Sequence, residues 1–206
     1  MDKLETIYEA SSDTAAYSHA YLAHMVDVIK AIPGDDLPRL IELTQEAVTG
    51  DKTIFVMANG GSGAVANHWA NDLGPNSVVP GQPGIRIISL CENPGSITAI
   101  GNDVSFDEIF TVQLQSFMRP GDLVIALSVS GNSPNILSGM DYAREAGAVT
   151  VGISGMDGGA LAGKCDHAIV VPSTRDEYGP VEDAFSVIMH VVITYVMQER
   201  GRRLAH

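Results

Sequence analysis

The chain has 206 residues, 45% of them hydrophobic and 18% charged, with only two cysteines. That length suits one domain with a sizeable core, and so few cysteines argue against a disulfide framework, which makes a reducing cytoplasm the expected compartment. Its 25 acidic against 12 basic residues leave a net charge of −13 without the basic stripe a nucleic-acid surface needs, so no nucleic-acid partner is expected.

The start, Met1-Asp2-Lys3-Leu4-Glu5, lacks the basic and apolar regions of a signal peptide. No apolar run approaches the roughly 20 residues of a membrane span, so no membrane partner is expected. Residues 14–31 and 36–49 have amphipathic helical spacing. Asp13 caps the first, Pro33-Gly34 ends it, and Pro38 sits in the opening turn of the second. From residue 53 strands and helices alternate: strand 53–57, helix 63–73 stopped by Gly74-Pro75, a Pro/Gly loop through 80–84, and strand 85–90. Short helical stretches are expected around 94–101 and 106–117, then Pro120-Gly121-Asp122 turns into strand 123–127. Helix 134–146 has Ser133 as its cap, Pro134 at its first position and Gly147 just past its end. Strand 149–153, a short helix near 159–164, strand 168–171 and a last helix over about 180–200 follow. Arg200, Arg202 and Arg203 form the one basic cluster, a helix end that complements the dipole.

This alternation predicts an α/β fold, a doubly wound five-stranded parallel sheet of flavodoxin-like type with helices on both faces and an N-terminal helical pair. One domain is expected over 1–206, with 1–50 as the N-terminal helices and 51–206 as the α/β core. In the common strand order 2-1-3-4-5, assumed here, a crevice opens at the carboxyl ends of strands 1 and 3.

Two loops of small residues fall at that crevice. Asn59-Gly60-Gly61-Ser62 follows strand 1, and Ser128-Val129-Ser130-Gly131-Asn132-Ser133 follows strand 3. Backbone N–H groups at a helix start are unpaired and carry the positive end of the dipole, which makes a ready anion site. A glycine turn with a capping serine accounts for the first loop alone. Capping needs one serine, however, not Ser128, Ser130 and Ser133 together, so the pair of loops points to a bound phosphate. The acidic balance repels such a ligand at long range, so local donors must hold it.

His68 and Asp72 are spaced i, i+4 on the helix leaving the first loop and share a face. That spacing suits a metal pair or an acid and base held together, and equally a surface His–Asp pair. His190 lies in an apolar stretch of the last helix, where a lone histidine is more often a core residue. Glu182 and Asp183 stand eight and seven positions before it. The i, i+7 spacing favours Asp183 without deciding which carboxylate faces His190.

Taken together, Asn59-Gly60-Gly61-Ser62, His68-x3-Asp72, Gly101-Asn102-Asp103, Arg119-Pro120-Gly121-Asp122, Ser128-x-Ser130-Gly131-Asn132-Ser133-Pro134-Asn135, Gly155-x-Asp157-Gly158-Gly159 and the late His190 resemble the phosphoheptose isomerases. These are sugar isomerase (SIS) domain enzymes that interconvert sedoheptulose 7-phosphate and a glycero-manno-heptose 7-phosphate. The resemblance covers about residues 10–200 and implies a homotetramer with sites at subunit interfaces, often holding zinc. It implies substrate contacts for Asn59, Gly60, Gly61, Ser62, Asn102, Asp103 and Glu182, and phosphate contacts for Ser128, Ser130 and Ser133. His68, Asp72, Glu182 and His190 fall on metal-ligand positions, with Asp72 also the base and His190 the acid.

Two positions depart from the family pattern: Asp72 stands where the family typically has Glu, and Glu182 where it typically has Gln. The first shortens the arm by a methylene; the second adds a negative charge. The four side chains still make a mixed nitrogen and oxygen site, neutral around a divalent ion. Val65 and Gly74-Pro75-Asn76 also differ from the usual residues. The expected function is a metal-assisted aldose–ketose isomerase acting on a phosphorylated sugar, sedoheptulose 7-phosphate first. Its rivals are an isomerase for another phosphosugar and a non-catalytic SIS module that senses phosphosugars or binds a bacterial replication initiator.

Overall fold

In the computed structural model, residues 2–202 are described, so Arg203 of the basic cluster lies outside the described residues. Three helices come first: α1 (Lys3–Ala10), α2 (Thr14–Lys30) and α3 (Leu37–Thr49). The α/β part then runs β1 (Ile54–Ala58), α4 (Gly60–Leu73), β2 (Ile87–Ser89), α5 (Pro94–Asp103), α6 (Thr111–Phe117) and β3 (Leu123–Ser128). It closes with α7 (Pro134–Glu145), β4 (Val149–Ser154), α8 (Gly159–Ala162), β5 (His167–Val170) and α9 (Tyr178–Glu199).

Every residue of β1 and β3 is buried, as central strands covered on both faces must be. Their side chains divide by parity. Ile54, Val56, Leu123 and Ile125 face a core shared with α3, α4 and α9, whereas Phe55, Met57, Val124 and Ala126 face a second core under α6 and α7. All strand pairs are parallel, in the order β2-β1-β3-β4-β5. The chain leaves β1 toward one face through α4 and leaves β3 toward the other through α7. That reversal opens the crevice at the carboxyl ends of β1 and β3.

Four local details differ from the sequence reading. α1 was not anticipated. β2 is shorter than 85–90, although Ile54 still donates to the Arg86 carbonyl and Leu90 to the Val56 carbonyl beside it. α4 begins at Gly60 rather than at 63, because Gly60 adopts φ +52°, which turns the chain directly from strand into helix. α9 begins at Tyr178, with Pro180 inside a first turn whose N–H groups need no helical acceptor. Asp13 does cap α2, accepting from the Ala16 amide at 2.8 Å. Ser133 occupies the N-cap of α7, but its side chain makes no capping hydrogen bond.

α9 spans 22 residues, and an 18-residue window of it has a mean hydropathy of 1.3, enough by length and composition to cross a membrane. Here it serves as a core helix, with Phe185, Ile188, Met189 and Val192 fully buried against the sheet and α4.

The segment before α9 fastens the N-terminal helices. Asp176 accepts from the first amides of α1, at 3.1 Å from Lys3, 2.6 Å from Leu4 and 3.1 Å from Glu5, where the helix dipole favours an anion. Glu177, 3% exposed, accepts from the Thr174 hydroxyl at 2.7 Å and from its amide, and pairs with His24 on α2. Burial pushes both carboxyls up, but the Thr174 hydrogen bonds, with the α1 amides or His24, outweigh it and hold both below the ordinary range. A depressed carboxyl contributes stability that is full above its unfolded pKa, about 4, and lost as pH falls through the lower folded value. The melting temperature of Asp176→Asn should therefore lie below wild type at pH 7 and converge on it as pH falls through the lowered folded pKa. A gap that stays constant across that range would remove Asp176 from this clamp.

Candidate active site

At the crevice, the amides of Gly60, Gly61 and Ser62 form the first turn of α4 and have no intrahelical acceptor. A reciprocal pair of hydrogen bonds ties this loop to the second: Asn59 Nδ2 donates to Asn135 Oδ1 at 2.9 Å, and Asn135 Nδ2 donates to Asn59 Oδ1 at 2.8 Å. The second loop is shaped by Gly131, at φ +63°, where a Cβ would strike the Gly158 carbonyl. Asn132 holds it from below, accepting from the Ala160 amide at 3.0 Å.

Between the loops lies a cavity of about 250 Å³ lined by Asn59, Gly60, Gly61, Ser62, Ser128, Ser130, Ser133, Met156 and Glu182. Ser128 and Ser130 each accept a backbone hydrogen bond at 3.2 Å, from Gly131 and Asn132, and Ser133 is not spent on capping. Their hydroxyl protons are therefore free to donate into the cavity, together with the α4 amides. Among the described residues, no lysine or arginine lines it. The arrangement is built to hold an anion through neutral donors.

Ser62 behaves differently. Its hydroxyl donates to Glu182 Oε1 at 3.0 Å, and the Glu182 carboxylate packs where a Cβ on Gly61 would stand. α4 and α9 run side by side in the same direction: Ser62 meets Glu182, and further along His68 and Asp72 meet His190. Six residues separate Ser62 from His68, a rise of about 9 Å along the helix. There His68 Nε2 lies 3.1 Å and His190 Nε2 4.0 Å from Asp72 Oδ2, and the two imidazoles meet edge to face at 5.1 Å. The three donor atoms lie within 4.8 Å of one another. Two imidazole nitrogens and one carboxylate oxygen at that separation fit a divalent transition-metal ion. Both histidines are about half exposed, at 46% and 49%, which leaves room for ligand on the open side.

Several expected residues fall elsewhere. Glu182 does not join the histidine–aspartate cluster, because Ser62 holds its carboxylate at the crevice end of α9. The cluster as it stands in this structure holds three of the four expected ligand residues, and no bond links either Glu182 or Asp183 to His190. Asp183 is exposed and its charge acts on Tyr21 instead. Asn102 and Asp103, paired with each other at 2.8 Å, are exposed at the end of α5 and line neither cavity beside the first loop. The second cavity, about 360 Å³, lies across that loop and is lined by Asn67, Cys91, Ile97, Phe106 and Phe110 among others. Burial pushes the Cys91 thiol up, which disfavours its thiolate form.

Two site residues escaped the sequence reading. Met156 lines the anion cavity at φ +53°, a strained position for a residue with a Cβ. Its signal was the Gly155-to-Gly159 run. Asn135, 1% exposed, joins the loops and had its signal in the Ser-Pro-Asn that opens α7.

With this geometry, the class is clear: a doubly wound domain with a cavity of serine and backbone donors at its switch point, matched over residues 17–155 by the family model described as SIS domain. The chain belongs to the SIS domain family, on the branch of the phosphoheptose isomerases. It is 37% identical to the phosphoheptose isomerase of Trichlorobacter lovleyi over 160 residues, 78% of each chain. It is 36% identical to that of Pelobacter propionicus, covering 78% of this chain and 86% of the relative. Among solved structures, phosphoheptose isomerase GmhA from Neisseria gonorrhoeae shares the fold, with a TM-score of 0.82 at 24% identity over 91% of this chain and all of that one.

Glu182 puts a charge in the wall of an anion cavity. Glu182→Gln should tighten binding of inorganic phosphate about tenfold at low salt, equal to about 1.4 kcal/mol. Calorimetry checks this, and unchanged affinity would place Glu182 outside the field of the anion.

Proposed function

We propose that the chain is a phosphoheptose isomerase that converts sedoheptulose 7-phosphate into glycero-manno-heptose 7-phosphate. The observation that carries the reading is the parallel seating of α4 and α9. It puts an anion cavity at one end and the His68–Asp72–His190 cluster roughly two turns away, so one small phosphorylated chain reaches both. Ser128, Ser130, Ser133 and the first amides of α4 hold the phosphate. Asn59 and Ser62 meet the sugar chain next to it, and Asn102 and Asp103 are assigned to the substrate by the family resemblance.

The chemistry moves one proton between neighbouring carbons through a cis-enediol. Asp72 takes the proton alpha to the carbonyl and returns it to the adjacent carbon, while His190 donates to the carbonyl oxygen and recovers the proton from the hydroxyl. His68, Asp72 and His190 would hold a divalent ion, which we read as zinc. When bound, such an ion polarises the carbonyl and hydroxyl oxygens. A cytoplasmic homotetramer with sites at subunit interfaces completes the reading. Its support is the half-exposed pair of histidines beside Val191 and Tyr195, and the exposed apolar stripe Leu22, Val26 and Ile29 on α2. A different phosphosugar is the second reading, favoured by the Ser62 hydroxyl being spent on Glu182.

NMR of the protein incubated with sedoheptulose 7-phosphate tests this. A new aldose anomeric signal that chelator suppresses is expected, and Asp72→Asn should lose turnover by at least about 10²-fold while still binding phosphate. Wild-type turnover in that variant contradicts the role of Asp72. Conversion of another phosphosugar but not this one selects the second reading.

A further inference from the structure

Position 72 carries an aspartate on a helix surface, and a carboxylate so short has little reach with which to correct its own orientation. Its two oxygens have different surroundings. Oδ2 faces His68 and His190. Oδ1 points the other way and accepts two amide hydrogen bonds, from Asn71 Nδ2 at 3.0 Å and Asn76 Nδ2 at 3.1 Å. Neither amide makes another hydrogen bond in the structure's described residues, and neither side chain is buried.

The second donor is delivered by a specific turn. α4 stops at Gly74, where a Cβ would lie 2.6 Å from the Ala70 carbonyl oxygen. Pro75, Asn76 and Ser77 then make one 3-10 turn. The Ser77 hydroxyl, fully buried, closes it by donating to the Leu73 carbonyl and, at 3.0 Å, to the Gly74 carbonyl. The turn brings Asn76 back over the last turn of α4, onto Asp72.

We propose that Asn71 and Asn76 form a carboxamide clamp that locks the Asp72 carboxylate with Oδ2 toward the histidines, making up for its short arm. They are positioning residues: they touch Asp72 and act through it. The proposal rests on the reading of His68, Asp72 and His190 as a divalent-metal site. Groups that hydrogen-bond the free oxygen or nitrogen of a ligand fix its orientation, and losing one typically weakens metal binding 10- to 100-fold.

The test is calorimetric titration of the full chain with Zn²⁺ alone, alongside the melting temperature of the metal-free protein. Wild type should take up one ion per chain and Asp72→Asn should lose it. Asn76→Ala should bind about tenfold more weakly, and the Asn71→Ala/Asn76→Ala double variant about 100-fold more weakly. Because both asparagines are exposed, the metal-free melting temperature should not move, and Asn76→Gln, which keeps the amide, should recover part of the affinity. Wild-type affinity in the double variant, with Asp72→Asn still defective, overturns the clamp and leaves the metal site standing. A loss in Asn76→Ala that comes with a lower metal-free melting temperature and no recovery by Gln assigns Asn76 to the fold and also overturns it. No uptake by wild type, or uptake unaffected by Asp72→Asn, overturns the metal reading and the clamp with it.

Discussion

The rest of the structure depends on unpaired backbone donors at the carboxyl edge of a parallel sheet. β1 must leave the sheet through a helix whose first amides have no internal acceptor, and Gly60 makes that turn so tight that those amides face the crevice directly. The reciprocal Asn59–Asn135 pair holds them opposite the serine loop after β3. The donors there are preorganised and neutral, and among the described residues of a chain of net charge −13 no cation lines the cavity wall.

From that edge the chemistry is carried along two helices. α4 and α9 are packed through Trp69, Phe185 and Ile188, all fully buried, so their mutual register is set by the core rather than by the polar residues on their outer sides. The register puts Ser62 against Glu182 and His190 against the His68–Asp72 pair. One carboxylate thus sits at the crevice end and one in the histidine cluster. Ser62 keeps the Glu182 carboxylate at the crevice end, so the far cluster in this structure consists of two imidazoles and one carboxylate. A purely scaffolding SIS module has no use for such a cluster.

Much of this was legible in the residues. Alternating apolar runs and glycine–proline breaks disclosed the parallel sheet, and the strand order matches the common one because right-handed crossovers leave few alternatives. The two loops stood out because three serines exceed what a helix cap consumes. What stayed hidden depends on partners distant in sequence. α1 is docked by Asp176, over 170 positions away, as its hydrogen bond to Leu4 shows. The i, i+7 argument for Asp183 considered α9 alone, whereas the neighbouring α4 ties Glu182 to Ser62, and neither carboxylate bonds to His190. Asn102 and Asp103 carry a motif but lie on the surface of one chain, and spacing says nothing about exposure. The strained backbone of Met156 is likewise a property of the fold around it.

The measurement that tests the central claim most directly is a crystal structure of the protein with Zn²⁺ and sedoheptulose 7-phosphate, using anomalous scattering at the zinc edge. The account predicts one zinc peak between His68, Asp72 and His190, and a phosphate among Ser128, Ser130, Ser133 and the first amides of α4, joined by one sugar chain. Zinc on Glu182, or a phosphate seated away from the serine loop, would contradict it.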